Sequence, residues 1–168
     1  MHWFDWMALG IVVVVTIVQT VRGVKAGGMG LPLFEAAGLV ASAVAATHAS
    51  GPLAGSLHMQ KAVVMLVVFL VLGILSLVVG RWFFTVTALS FESLDGILSF
   101  LFGLVTAWTI AHMVLRIVAE SQGMNGEIAT LAANSPVVRE IYQFRTWNAL
   151  MNLLFKAKLG PDFNPDIG

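Results

Sequence analysis

The sequence predicts an all-α integral membrane protein, a four-helix bundle followed by a C-terminal amphipathic helix at the membrane interface. Two observations carry that prediction. Of 168 residues, 58% are apolar and only 11% charged, and mean hydropathy is +0.90. A water-soluble domain carries about 25% charged residues, so this chain has too few to cover its surface in water. The second observation is the arrangement of the apolar residues in four runs, over residues 4–21, 31–48, 62–79 and 97–118. As helices these measure about 27 to 33 Å, enough to cross a hydrocarbon core of about 30 Å. The runs are continuous rather than alternating, and backbone groups in lipid must be satisfied within the segment, so helices are predicted rather than a barrel.

The same composition excludes other classes. Nine Lys+Arg balance nine Asp+Glu with no basic run, so nothing could neutralise several phosphates of a nucleic acid at once. The absence of cysteine excludes disulfide and thiolate chemistry. The start Met1-His2-Trp3-Phe4-Asp5-Trp6 has no basic residue before Arg22, unlike a secretory signal, so the first apolar run is expected to be retained.

The first helix runs into a glycine-rich turn, Gly23 to Pro32, with Pro32 suited to the first turn of helix two. Helix two carries Glu35 and is rich in alanine, so it inserts less favourably than the Val/Leu-rich helix three. Ala49 to Lys61 is expected to be a mildly polar loop. Arg81 followed by Trp82, Phe83 and Phe84 suits the headgroup level, so helix three is expected to run on into the interface before a turn at Asp95-Gly96. Residues 1–120 form the spanning domain and 121–168 a separate C-terminal segment. Glu120 to Asn134 is polar and rich in small residues. Asn134-Ser135-Pro136 signals a helix start, and Val137, Ile141, Phe144, Trp147, Met151 and Leu154 recur at steps of three and four. That pattern predicts an amphipathic helix over about 136–157, lying on the membrane surface or docked on the bundle. An irregular tail follows it.

Two constellations stand out. Ser99, Gly103, Ala107 and Ala111 step by four along helix four, Gly38, Ser42 and Ala46 along helix two, and Ser76 and Gly80 along helix three. Small residues at this spacing let backbones approach closely, which predicts helix-packing seams. Asp5, Thr16, Gln19 and Thr20 share one side of helix one, and Glu35 lies on the face of Gly38 and Ser42. Ionisable groups within a span are costly and tend to mark a path. For Glu35, a capping or packing role near the start of helix two is the preferred reading and a transport or proton role the alternative.

The four histidines, His2, His48, His58 and His112, show no metal-ligand spacing. His112, Arg116 and Glu120 step by four, so Arg116 is expected to snorkel and pair with Glu120. No nucleophile elbow, phosphate loop or dinucleotide motif is present, so neither a catalytic residue nor a cofactor is expected. Asp5 precedes helix one and Arg22 and Lys25 follow it, which places the first connector in the cytoplasm and both termini outside.

The order and spacing of Phe4-Asp5-Trp6, Arg22-Gly23, Glu35 with Gly38, Gly80-Arg81, Leu94-Asp95 and Phe102-Gly103 resemble the CvpA family, the colicin V production proteins of bacterial inner membranes. Where the family usually has a basic residue after the Leu-Asp pair, this chain has Gly96. The resemblance marks Arg22, Gly23, Arg81 and Asp95 as motif positions. It implies a four-span inner-membrane protein linked to colicin V production or export and to envelope phenotypes. The expected function is therefore a non-enzymatic scaffold or accessory protein of the envelope. Its expected partners are the lipid bilayer and either further copies of the chain or other envelope membrane proteins. The alternative is a small transporter or channel component with a polar path between helices one and two.

Overall fold

The computed structural model describes residues 2–123 and 126–144. Six helices follow in order: α1 (Trp3–Ala26), α2 (Gly30–Leu57), α3 (Lys61–Thr87), α4 (Asp95–Gln122), α5 (Glu127–Asn134) and α6 (Pro136–Gln143). The first four have 24 to 28 residues, with mean hydropathy of 2.0, 1.4, 3.2 and 1.8 over their most apolar stretches, enough to cross a membrane. Large apolar side chains cover their outer faces, and on α3 Ile74 and Val78 are 62% and 63% exposed. A surface so continuously apolar requires lipid rather than water as its solvent. The chain is a multi-pass membrane protein.

The bundle is built around α4, which packs against α1 along one side and against α2 and α3 along the other, while α2 and α3 form the closest helix pair. Among the described residues the backbones of α1 and α3 do not approach each other. The reason lies in the small residues. On the α1–α4 seam, a Cβ placed at Gly103 would lie 3.1 Å from both the Thr16 carbonyl oxygen and Gln19 Cβ, and one at Gly23 would lie 2.6 Å from Pro32 Cγ and collide with Ser99. Ala107 and Ala111 continue the seam, fully buried. On the α2–α3 seam, Ser76 Oγ donates to the Gly38 carbonyl at 3.1 Å and lies 2.9 Å from Ser42 Oγ. The backbone of Phe34 and Glu35 crosses Gly80 so closely that a Cβ there would sit 3.2 Å away. Ala46 is buried beside Met65, Phe69 and Met113. Without a hydrophobic force between helices in lipid, this close approach and its dispersion energy hold the pairs together.

The helices are longer than their apolar runs, and several ends differ from expectation. The segment Ala49 to Leu57 continues α2 instead of forming a loop, leaving only residues 58–60 as the connector. Pro52 deletes one backbone donor, but the flanking Ala49, Leu53 and Ala54 favour helix and carry it through. Asp95 opens α4 instead of forming a turn, because α3 already stops at Thr87, where Ala88 adopts left-handed geometry. Helix α5 was not legible as one in the polar stretch 120–134. It is short, and it rests on Ile128 and Leu131, both buried. The amphipathic helix ends at Gln143, with Phe144 left-handed, instead of running on to residue 157. Residues 145–157 and the tail lie outside the described residues. Of the two placements expected for this helix, docking on the bundle is the one found. Val138 and Ile141 are buried with Phe4, Ala8, Ala111 and Leu115.

Helices α5 and α6 thus sit with the start of α1 and the end of α4, opposite the connectors 27–29 and 88–94. Gly103→Leu should force α1 from α4 and cost about 1–3 kcal/mol, read as a lower thermal midpoint in detergent. Gly10→Leu, at a position with open space around it, should leave the midpoint unchanged.

Candidate functional site: a buried ion pair and two grooves

Gln19 and Arg22 are three residues apart on α1 and so share a face. The connector that follows turns α2 back alongside them. It can do so because Gly27 takes a left-handed conformation (φ 79°) and Gly28 and Gly30 pass against Leu89, which a side chain would block. Glu35, in the second turn of α2, thereby lands opposite. Its carboxylate accepts two parallel hydrogen bonds from Arg22, Nη1 to Oε2 at 2.9 Å and Nη2 to Oε1 at 2.7 Å. A third comes from Gln19 Nε2 at 2.8 Å. The Gln19 carbonyl oxygen in turn accepts from Arg22 Nη1 at 3.1 Å. Glu35 is fully buried and Arg22 half-buried. Fork-to-fork pairing satisfies both charges with fixed geometry, which is the arrangement a charge needs where water cannot solvate it.

The residues predicted to share a polar path are divided by the fold. Gln19 and Glu35 meet, and Thr20 donates to the Thr16 carbonyl at 2.8 Å. Asp5 lies fourteen residues before Gln19, about 21 Å along the helix, at the opposite end of the bundle. There it accepts from the His2 backbone N–H at 2.8 Å and from the Ser135 hydroxyl, and so ties the start of α1 to the start of α6. Thr16, Ser99 and Thr106 are buried with hydroxyls that find no hydrogen-bond partner among the described residues, and the same holds for the Trp108 indole N–H.

The motif positions marked by the resemblance fall mainly at the connector end. Asp95 accepts from the Met29 and Phe91 backbone N–H groups at 2.9 and 3.0 Å and from the Ser90 hydroxyl at 2.5 Å. With the bond from Gly30 N–H to the Leu89 carbonyl at 3.1 Å, it fastens the two connectors to each other. Gly23 lies in the α1–α4 seam. Arg81 lies in the last turns of α3, exposed beside Trp82.

The expected Arg116–Glu120 pair is not formed. Glu120 instead takes Lys61 Nζ at 2.6 Å, because the fold brings the first residue of α3 beside the last turn of α4. No charge partner replaces Glu120 on Arg116 among the described residues. The role of Arg22 as the partner of Glu35 was missed by sequence reasoning, which read Arg22 only as a topological charge and a motif position. The one available signal was that the first connector is short enough to hold the facing ends of both helices together. The spacing of His112 to Arg116 and Glu120 gave no sign of its contact with α6. Its Nδ1 lies 3.0 Å from the Ile141 carbonyl and so carries the hydrogen of that bond.

Two clefts flank the bundle. One, of about 340 Å³, opens between α1 and α3, with Gln19, Arg22 and Thr106 among its apolar walls. The other, of about 670 Å³, lies between α2 and α4 and is closed at one end by α6. No group of three His, Cys, Asp or Glu residues is placed to hold a metal among the described residues. In comparisons with known proteins, no family model, curated protein or solved structure matches the chain.

Arg22→Met should strand a buried carboxylate and lower stability by about 3 kcal/mol, whereas Arg22→Met with Glu35→Leu should recover most of that loss. Thermal unfolding in detergent reads both. A double variant no more stable than the single one would show that the cost of Arg22→Met does not come from Glu35.

Proposed function

We propose that the chain is a non-enzymatic scaffold or accessory protein of the bacterial inner membrane, similar to CvpA and serving colicin V production or export. The observation that carries this reading is the use made of its buried acidic groups. Glu35 is spent on Arg22 and Gln19, and Asp5 on Ser135 and the backbone. At the edge of α4, Asp95 is spent on the connectors. Groups that relay protons or ions have to exchange partners, and these are held as staples between helices. The outer faces, by contrast, offer long apolar surfaces to lipid, to further copies of the chain or to other envelope proteins. A transporter or channel component is the second reading. It is favoured by the cleft beside Gln19 and Arg22 and by the unpartnered hydroxyl of Thr106 in its wall.

The absence of native cysteine makes one experiment decisive between the two. Single cysteines replacing Thr16 and Ser42 should resist a membrane-impermeant thiol reagent in intact cells, as expected for a dry bundle. Labelling at both would establish a water-filled path and the second reading. In the proposed orientation, with both termini outside, a cysteine at His58 is labelled and one at Gly27 is not. The reverse pattern would invert the topology.

A further inference from the structure

The groove between α2 and α4 begins near Val40 and Leu104, in the middle of the bundle, and ends at His48 and Arg116, where the apolar runs of both helices stop. From Leu104 to Arg116 is about 18 Å along the helix, a little more than half of a hydrocarbon core. One half of the groove is therefore apolar and lies at the depth of acyl chains, and the other is polar and lies at the level of headgroups. Its polar end holds an unusual group. Arg116 is half-buried and faces the groove, and it makes no hydrogen bond or ion pair among the described residues, because Glu120 has gone to Lys61. An unpaired guanidinium at the membrane edge calls for an anion, and its planar fork matches a phosphate. His112 stands beside it, one turn earlier on α4; with Nδ1 donating to the Ile141 carbonyl, its Nε2 carries a lone pair that accepts from a headgroup hydroxyl and leaves the phosphate to Arg116. Glu140 of α6, itself engaged in an interaction of its own, lines the same rim. Its negative charge disfavours a doubly charged phosphate over a phosphodiester with a single charge.

We infer that this groove binds one glycerophospholipid of the surrounding bilayer, with an acyl chain along Val40, Val44, Leu104 and Val105 and the phosphodiester on Arg116 beside His112. Charge complementarity at the level of the headgroups and an apolar channel of matching depth select this occupant. The inference does not depend on the scaffold reading, since a transporter could carry the same site.

Native mass spectrometry of the full chain in detergent tests it, with phosphatidylglycerol, phosphatidylcholine or inorganic phosphate added. One phosphatidylglycerol should be retained per chain, and phosphate at millimolar concentration should not displace it. Arg116→Gln should weaken retention roughly five- to tenfold, the loss expected for one basic contact at a membrane surface, and Arg116→Lys should restore part of it. Arg81→Gln, which removes an arginine outside the groove, should change nothing. Val44→Trp, on an exposed part of the wall, should abolish retention by filling the channel while leaving the thermal midpoint intact. This variant keeps the test valid if Arg116→Gln fails to fold. Equal retention in wild type, Arg116→Gln and Val44→Trp would mean ordinary surrounding lipid and overturn the inference. Displacement by phosphate alone would show a bare anion site and overturn it as well. Disulfide-linked dimers of a Val44→Cys variant in membranes would show that a second copy fills the groove instead.

Discussion

A carboxylate fully withdrawn from water cannot stand alone in a membrane, and the placement of Glu35 governs much of this bundle. Its two oxygens require donors, which Arg22 and Gln19 supply from α1. The backbone of α1 approaches α2 only over a short stretch and does not approach α3 among the described residues, so this cluster is the main bond between α1 and the helix that follows it. Holding Arg22 and Gln19 toward α2 also fixes the rotation of α1. Thr16, Thr20 and Gly23, on adjoining positions of the same side, are thereby presented to the small residues of α4. The packing seam and the ion pair are consequences of one orientation, and neither could shift by a residue without disturbing the other.

The remaining acidic staples follow the same logic at the two ends of the bundle. Asp95 gathers backbone N–H groups of both connectors at one end, and Asp5 binds α6 to α1 at the other. A chain with only nine acidic residues uses Asp5, Glu35, Asp95 and Glu120 to join different helices or connectors. In a low-dielectric setting a charge-assisted hydrogen bond is stronger than its counterpart in water, and an unmade one costs more, so a few such contacts suffice to specify a single arrangement.

The four spans were legible in the sequence because hydropathy and length respond to the membrane directly, residue by residue. The spacing of small residues also pointed to the faces where helices approach closely, since the geometry of a helix alone sets that stripe. Helix ends were less legible. Ala49 to Leu57 looks polar only beside its neighbours, and whether a stretch carrying Gly51, Pro52 and Gly55 continues a helix depends on the packing of Ser50 and Ala54, both buried. Charge pairing was the least legible feature. The i,i+4 rule that favoured Arg116 with Glu120 describes an isolated helix and is worth a few tenths of a kcal/mol, which a lysine delivered by another helix overrides. The union of Arg22 and Glu35 depends likewise on how α1 and α2 lie together, which no local pattern encodes.

The order of the helices also explains why the two sides of the bundle differ chemically. With α4 and α2 in the middle and α1 and α3 leaning on them without meeting, each side is left with an open cleft, and each cleft holds one arginine. On the α1–α3 side the guanidinium is neutralised from within the protein by Glu35, so that cleft needs nothing from outside. On the α2–α4 side the candidate carboxylate, Glu120, has been drawn away to Lys61, and Arg116 is left facing a groove that ends at the level of the headgroups. A cation at that depth has to be compensated either by the chain or by its surroundings. On the proposed reading the bilayer provides that compensation, and the lipid becomes a structural component of the bundle. The stability of α6 is then linked to it, because the ring of His112, which holds the Ile141 carbonyl, lines the same groove.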